Sequence, residues 1–115
     1  MPEQVIDVGE KVIIITKRAF ADDVRRHFIG TVKACLGSLL RVEGHAWIAN
    51  NVGGYERRSD VRTRVFSLSY GGEVVLIVPP SVDLAKLTYR IVSGRLLITD
   101  DASFSLEITE FGGNY

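Results

Sequence analysis

Between His27 and Ile48 the chain reads HFIGTVKACLGSLLRVEGHAWI, two runs of alternating residue type that meet at Leu36-Gly37-Ser38. Phe28, Gly30, Val32, Ala34 and Leu36 alternate with His27, Ile29, Thr31, Lys33 and Cys35. Beyond the glycine, Leu40, Val42, Gly44, Ala46 and Ile48 alternate with Arg41, Glu43, His45 and Trp47. A period of two is what a pleated strand imposes, so the stretch reads as a long β-hairpin. Gly37-Ser38 alone fits a two-residue type II′ turn. That register sets Phe28 opposite Trp47 and Val32 opposite Glu43, which mixes the two faces. A three-residue loop, Gly37-Ser38-Leu39, pairs Leu36 with Leu40, Val32 with Gly44, Lys33 with Glu43 and Ile29 with Trp47, and keeps one face apolar. Because a slip of one residue sends every side chain to the other face, burial predicts the three-residue loop.

Gly30 and Gly44 fall on the apolar face near the middle of this hairpin. A glycine inside a strand packs nothing and marks a bend, a bulge or a close backbone approach. Two of them predict a strongly curved sheet, as in a small barrel.

The residues Phe28-Ile29-Gly30-Thr31-Val32, preceded by the apolar strand Val12 to Ile15, resemble the first motif of Sm-like barrels, members of the wider SH3-like group. The likeness spans roughly residues 10 to 49 and implies a bent barrel. In that family the loop after this strand carries an Asp/Asn pattern that grips a uridine base. Here Cys35-Leu36-Gly37-Ser38 stand in that place. The family's second motif, an apolar residue followed by Arg-Gly, has no counterpart in Phe66 to Gly72. The resemblance therefore implies a fold and carries no RNA-binding residue across.

With 115 residues the chain is expected to be a single domain with a core of its own. Fourteen Lys and Arg balance fourteen Asp and Glu, which argues against a general attraction to nucleic acid or an anionic membrane. The balance is uneven along the chain. Residues 1 to 66 hold eleven Lys/Arg against eight Asp/Glu, and residues 67 to 115 three against six, giving +3 and −3. One cysteine, Cys35, excludes an intrachain disulfide framework and suits a reducing compartment. No basic-then-apolar leader and no membrane-spanning apolar run is visible, so a cytoplasmic location and no membrane partner are expected.

Outside the hairpin the β pattern continues. Residues 1 to 9 read as a loose arm before a first strand from Glu10 to Arg18, whose centre, Val12-Ile13-Ile14-Ile15, is apolar on both faces and predicts a doubly covered strand. Arg18 to Val24 breaks the pattern as a loop, with Phe20 expected under the core. Further strands are expected at Tyr55 to Arg58, Thr63 to Ser69, Glu73 to Val78 (again central), Leu87 to Val92, Arg95 to Thr99 and Phe104 to Phe111. Ser81 is expected to cap a helical turn through Lys86, and residues 112 to 115 to fray. The fold class is all-β: one domain, mostly antiparallel, a small barrel or strongly bent sandwich of about eight strands.

Chemistry is sparse in this sequence. Cys35 lies four residues beyond Thr31, the expected partner of His45, or about 13 Å along a strand, too far for a shared metal ion or a nucleophile–base pair. Gly53-Gly54 and Gly71-Gly72 lack the lysine and helix of a phosphate loop. The paired acids Asp22-Asp23 and Asp100-Asp101 sit where turns favour aspartate. No enzyme, metal site or cofactor is expected. What stands out is the stretch Arg57-Arg58-Ser59-Asp60-Val61-Arg62-Thr63-Arg64, with Trp47 and Tyr55 as aromatic neighbours. Trp47, Tyr55, Arg57, Arg58, Arg62 and Arg64 thus form the candidate interaction surface, with Trp47 either covered by the Tyr55 segment or the N-terminal arm, the commoner outcome, or open as a contact anchor. The expected function is a non-catalytic interaction or assembly module that binds a protein partner or itself through a strand edge or an exposed aromatic face. The alternative is weak single-stranded nucleic-acid binding along the arginines, where basic groups track phosphates and aromatics stack bases.

Overall fold

The computed structural model describes residues 5–69 and 71–111, and the expected frayed tail at 112 to 115 and the first part of the arm lie outside them. Among the described residues nine strands follow one another: β1 (Lys11–Thr16), β2 (Arg26–Leu36), β3 (Leu39–Ala49), β4 (Tyr55–Arg57), β5 (Arg62–Ser67), β6 (Glu73–Val78), β7 (Thr88–Val92), β8 (Arg95–Thr99) and β9 (Ser105–Glu107). All pairings are antiparallel. One sheet has the order β4-β3-β2-β1-β6, with β5 also on β3; the other is β7-β8-β9. β4 and β5 occupy successive lengths of the same edge of β3, β4 against Trp47 to Ala49 and β5 against Leu39 to Gly44. The fold is all-β, a strongly bent sandwich in which the larger sheet does not close into a barrel.

Alternation along β1 explains how two cores share one strand. Ile13 and Ile15 point toward the second sheet and pack with Ile29, Trp47, Tyr89, Ile98 and Ile108. Val12 and Ile14 point the other way and pack with Phe28, Val32, Leu40, Val42 and Phe66. All four β1 residues are at most 1 % exposed, as expected for a doubly covered strand. Val12, Ile14, Val32 and Val42 are fully buried although the second sheet lies on the opposite face, because the larger sheet curls around them.

The bend is centred on the two hairpin glycines. Gly30 and Gly44 are direct partners, and a Cβ at Gly44 would lie 2.1 Å from the Ile29 carbonyl oxygen. Only bare backbone allows the strands so close.

The hairpin register differs from the one burial alone predicted. Leu36 pairs with Leu39, so the loop is the two-residue Gly37-Ser38. Gly37 takes a φ of 56°, the left-handed conformation that a type II′ turn requires at its first central position. A bulge at Lys33 then shifts the ladder, so that Val32 faces Val42 and Phe28 faces Ala46. One extra residue restores the apolar face that the short turn would otherwise have scrambled. Ile29 consequently meets His45, and Trp47 meets His27. Lys33 still reaches Glu43, at 4.0 Å.

Other details are corrected too. Among the described residues β6 pairs β1 alone and forms an edge, its apolar run arising because Val74 and Leu76 serve one core and Val75 the other. Phe20 is 71 % exposed, on a loop closed by its own amide on Asp23. Asp83, not Ser81, caps a short 3-10 turn at Leu84–Lys86. The last strand stops at Glu107, where buried Ile108 and the Thr109 hydroxyl, which accepts from the Leu96 amide, end the ladder in a 3-10 turn. Residues 6 to 10 are tied down: Ile6 packs on the curled core, and the Gly9 amide donates to Val32 O at 2.8 Å.

Candidate functional site

The broken edge of the larger sheet gathers the arginines. Between β4 and β5 the chain leaves β3 briefly, while the Arg58 amide still donates to Ala46 O at 2.8 Å. Arg62 and Arg64 precede Phe66 at steps of two and share its face, the curled inner one. Arg26 precedes Phe28 by two and pairs with Ile48. Arg26, Arg57, Arg58, Arg62 and Arg64 accordingly line a single cleft of about 480 Å³, floored by Ala46 and Ile48, at the mouth of the curled core.

Five arginines and one carboxylate, Asp60, are among the residues lining this cleft, and Glu56 lines the adjoining one with Arg57 and Arg58. Asp60 accepts from Arg62 Nε at 2.6 Å, and that hydrogen bond holds its carboxyl below the usual range. The remaining four arginines have no carboxylate in the cleft itself. Arg64 lies over the rings of Phe28 and Phe66, 5.9 and 5.7 Å from their centroids, and roofs the apolar interior. The guanidinium fork matches carboxylate and phosphate geometry, so the arginines of the mouth offer donors suited to negative charge.

The six residues expected to form one surface are split in two. Arg57, Arg58, Arg62 and Arg64 come together. Trp47, although the ladder partner of Arg57, is covered rather than open: it is 6 % exposed and lies in the core between the sheets, so it drops out of the candidate surface. Tyr55 also turns to that core, half-buried, with its ring stacked 4.4 Å from His27 and 4.6 Å from Tyr89. The second sheet covers both, and nothing in the alternation of β3 announces what lies against its outer face. Arg26 was missing from the expected surface because only the register places it there; its pairing with Ile48 was the available signal.

Trp47, His27, Tyr55 and Tyr89 form an uncharged aromatic joint between the sheets. His27 Nδ1 and the Tyr89 hydroxyl are 2.6 Å apart, and Trp47 lies 4.9 Å from the Tyr89 ring. Burial, together with the nearby Arg25 charge, lowers the His27 pKa to about 4. Burial drives the Tyr89 and Tyr55 hydroxyls up. Cys35 is remote from this joint, with Sγ donating to Ile6 O at 3.4 Å, and burial raises its thiol pKa. Among the described residues no group of three His, Cys, Asp or Glu is placed to hold a metal ion, and no helix is long and apolar enough to cross a membrane.

Among the described residues the edge strands include β5 and β6. β5 pairs β3 alone, and β6 pairs β1 alone. Val65 on β5 and Ile77 on β6 are 59 % and 47 % exposed. No family model matches the chain, and neither a curated protein nor a solved structure matches it.

Proposed function

We propose that the domain is a non-catalytic interaction module that holds a negatively charged segment of a protein partner in its arginine-lined mouth. The observation that carries this reading is the convergence of Arg26, Arg57, Arg58, Arg62 and Arg64 on one cleft whose lining offers Asp60 as the only carboxylate. Gathering like charges opposes folding, and a bound anion relieves that repulsion. The open edges of β5 and β6 support a polypeptide partner, because extended chains pair with such edges through their main-chain groups. A second copy of the chain is a partner of the same kind.

Single-stranded nucleic acid is the second reading. It draws on Lys17 and Arg26, which line an adjoining cleft of about 300 Å³ and extend the basic surface. Against it, Trp47 and Tyr55 turn to the inter-sheet core, so the mouth lacks the aromatic platform on which bases stack. Fluorescence anisotropy with a labelled glutamate-rich peptide and a labelled oligothymidylate, each at two salt concentrations, tests both. The peptide is expected to bind at low salt and weaken when Arg58 and Arg62 are both changed to alanine. Absence of binding by either probe at low salt would overturn the mouth as a binding site. Light scattering over a range of concentrations reports self-association through the edges.

A further inference from the structure

The arginine mouth and the open edge of β5 are parts of one surface. Arg62 and Arg64 belong to β5, and their side chains line the mouth. Which backbone groups of β5 are free follows from the ladder. The Leu68 amide donates to Ser38 O at 2.8 Å, and the register pairs Leu40 with Phe66, Val42 with Arg64 and Gly44 with Arg62. Hydrogen bonding alternates along an antiparallel pair, so the even-numbered residues of β5 bond inward to β3. The amides and carbonyls of Thr63, Val65 and Ser67 point outward, away from β3.

Resting on the proposal that the mouth holds a charged protein segment, we infer that this segment is an extended acidic peptide added as a strand to β5. Its main chain bonds to Thr63, Val65 and Ser67. Its acidic side chains fall at every second position, opposite Arg62 and Arg64. Residues directly opposite in a sheet project to the same face at close range, and opposite charges there attract. Adjacent acids would place one carboxylate in the mouth and its neighbour on the far face of the sheet. The recognised chemistry is therefore a pattern, acid-x-acid, rather than charge alone. Backbone pairing also separates a peptide from a nucleic-acid strand, which has no amide ladder to offer.

Four labelled seven-residue peptides test this on the full chain by anisotropy, with an oligothymidylate alongside. One has glutamates at alternate positions, one has the same composition with the glutamates in a block, and two repeat the alternating sequence with N-methyl groups on every second amide, one in each phase. The alternating peptide is expected to bind about tenfold tighter than the block, and one N-methyl phase to weaken it about tenfold, the effect of two lost hydrogen bonds. The other phase should leave binding unchanged, and Arg62→Ala with Arg64→Ala should remove the preference for alternation. Equal binding of alternating and block peptides, or indifference to both methylation phases, overturns strand addition and leaves the anionic mouth standing. Binding of the oligothymidylate without any peptide also overturns the inference while the mouth survives. No binding by any probe overturns both. The peptide variants leave the protein untouched, so none of the overturning outcomes depends on a mutant folding.

Discussion

At Gly44 a single methyl group would collide with backbone that has nowhere to go. The nearest atoms to an added Cβ are the Ile29 carbonyl oxygen at 2.1 Å and the Gly30 Cα at 2.5 Å, both main chain. Gly44→Ala is expected to destabilise the domain by roughly 3 kcal/mol or more, the strain of a forced overpacking. Gly72→Ala is the control, because nothing lies within 4 Å of that position. Urea midpoints of the two variants would separate accordingly. His27 sets a pH dependence. Its imidazole stays neutral in the fold down to about pH 4, whereas in the unfolded chain it takes up a proton near 6.5. Between these values the unfolded chain binds more protons, so stability falls as pH drops from 6.5 toward 4. The loss expected over that window is about 3 kcal/mol. Thermal melts across the window should show it, and His27→Gln, which keeps a hydrogen-bonding group for Tyr89, should flatten the slope.

Among the elements, the hairpin shows where the sequence is legible and where it stops. Alternation located both strands and the apolar face as far as Val32, and the two glycines announced the bend. The bulge at Lys33 was not legible, since one inserted residue and one longer loop restore the same face equally well. The short turn prevails because Gly37 supplies the conformation it needs. The same limit governs the candidate site. Four of its arginines stand in one stretch of sequence and were visible there. Arg26 becomes their neighbour only through the register, and Trp47 leaves the surface only because a second sheet lies over it. Deletion experiments address the bulge directly. Without Lys33 the pairs Val32–Val42 and Ala34–Arg41 become consecutive in an unbroken ladder. That deletion should keep the fold, with a loss of about 1 kcal/mol from the exposed Lys33–Glu43 pair and the altered twist. Deleting Thr31 instead, within the paired segment, should send Phe28 to the wrong face and abolish the cooperative melt seen by circular dichroism.

For the molecule as a whole, β1 joins two cores that alternate through a single strand, so neither can loosen alone. Ile98→Ala on one side and Val42→Ala on the other each remove fully buried methyl groups. Each should cost about 2–4 kcal/mol and lower the same transition, followed by Trp47 emission and by far-ultraviolet signal alike. Two separated transitions would contradict the shared strand. Trp47 emission itself should be blue, resistant to iodide and independent of concentration, as its burial between the sheets requires. The pairing of β1 with β6 also reaches into the life of the nascent chain. Partners in that ladder stand 57 residues apart at Thr16 and Glu73 and 67 apart at Lys11 and Val78. β2 covers one side of β1 soon after synthesis, but the other side must wait for β6. At roughly 5–20 residues per second that wait lasts several seconds, during which Ile13 and Ile15 have no β6 beside them. The β6 segment VVLIV then emerges with Glu73 before it and Pro79-Pro80 after it, breakers that limit pairing with strands of other chains. Folding of this domain is thus a race between a distant partner and nearby strangers, and refolding yield should fall as protein concentration rises.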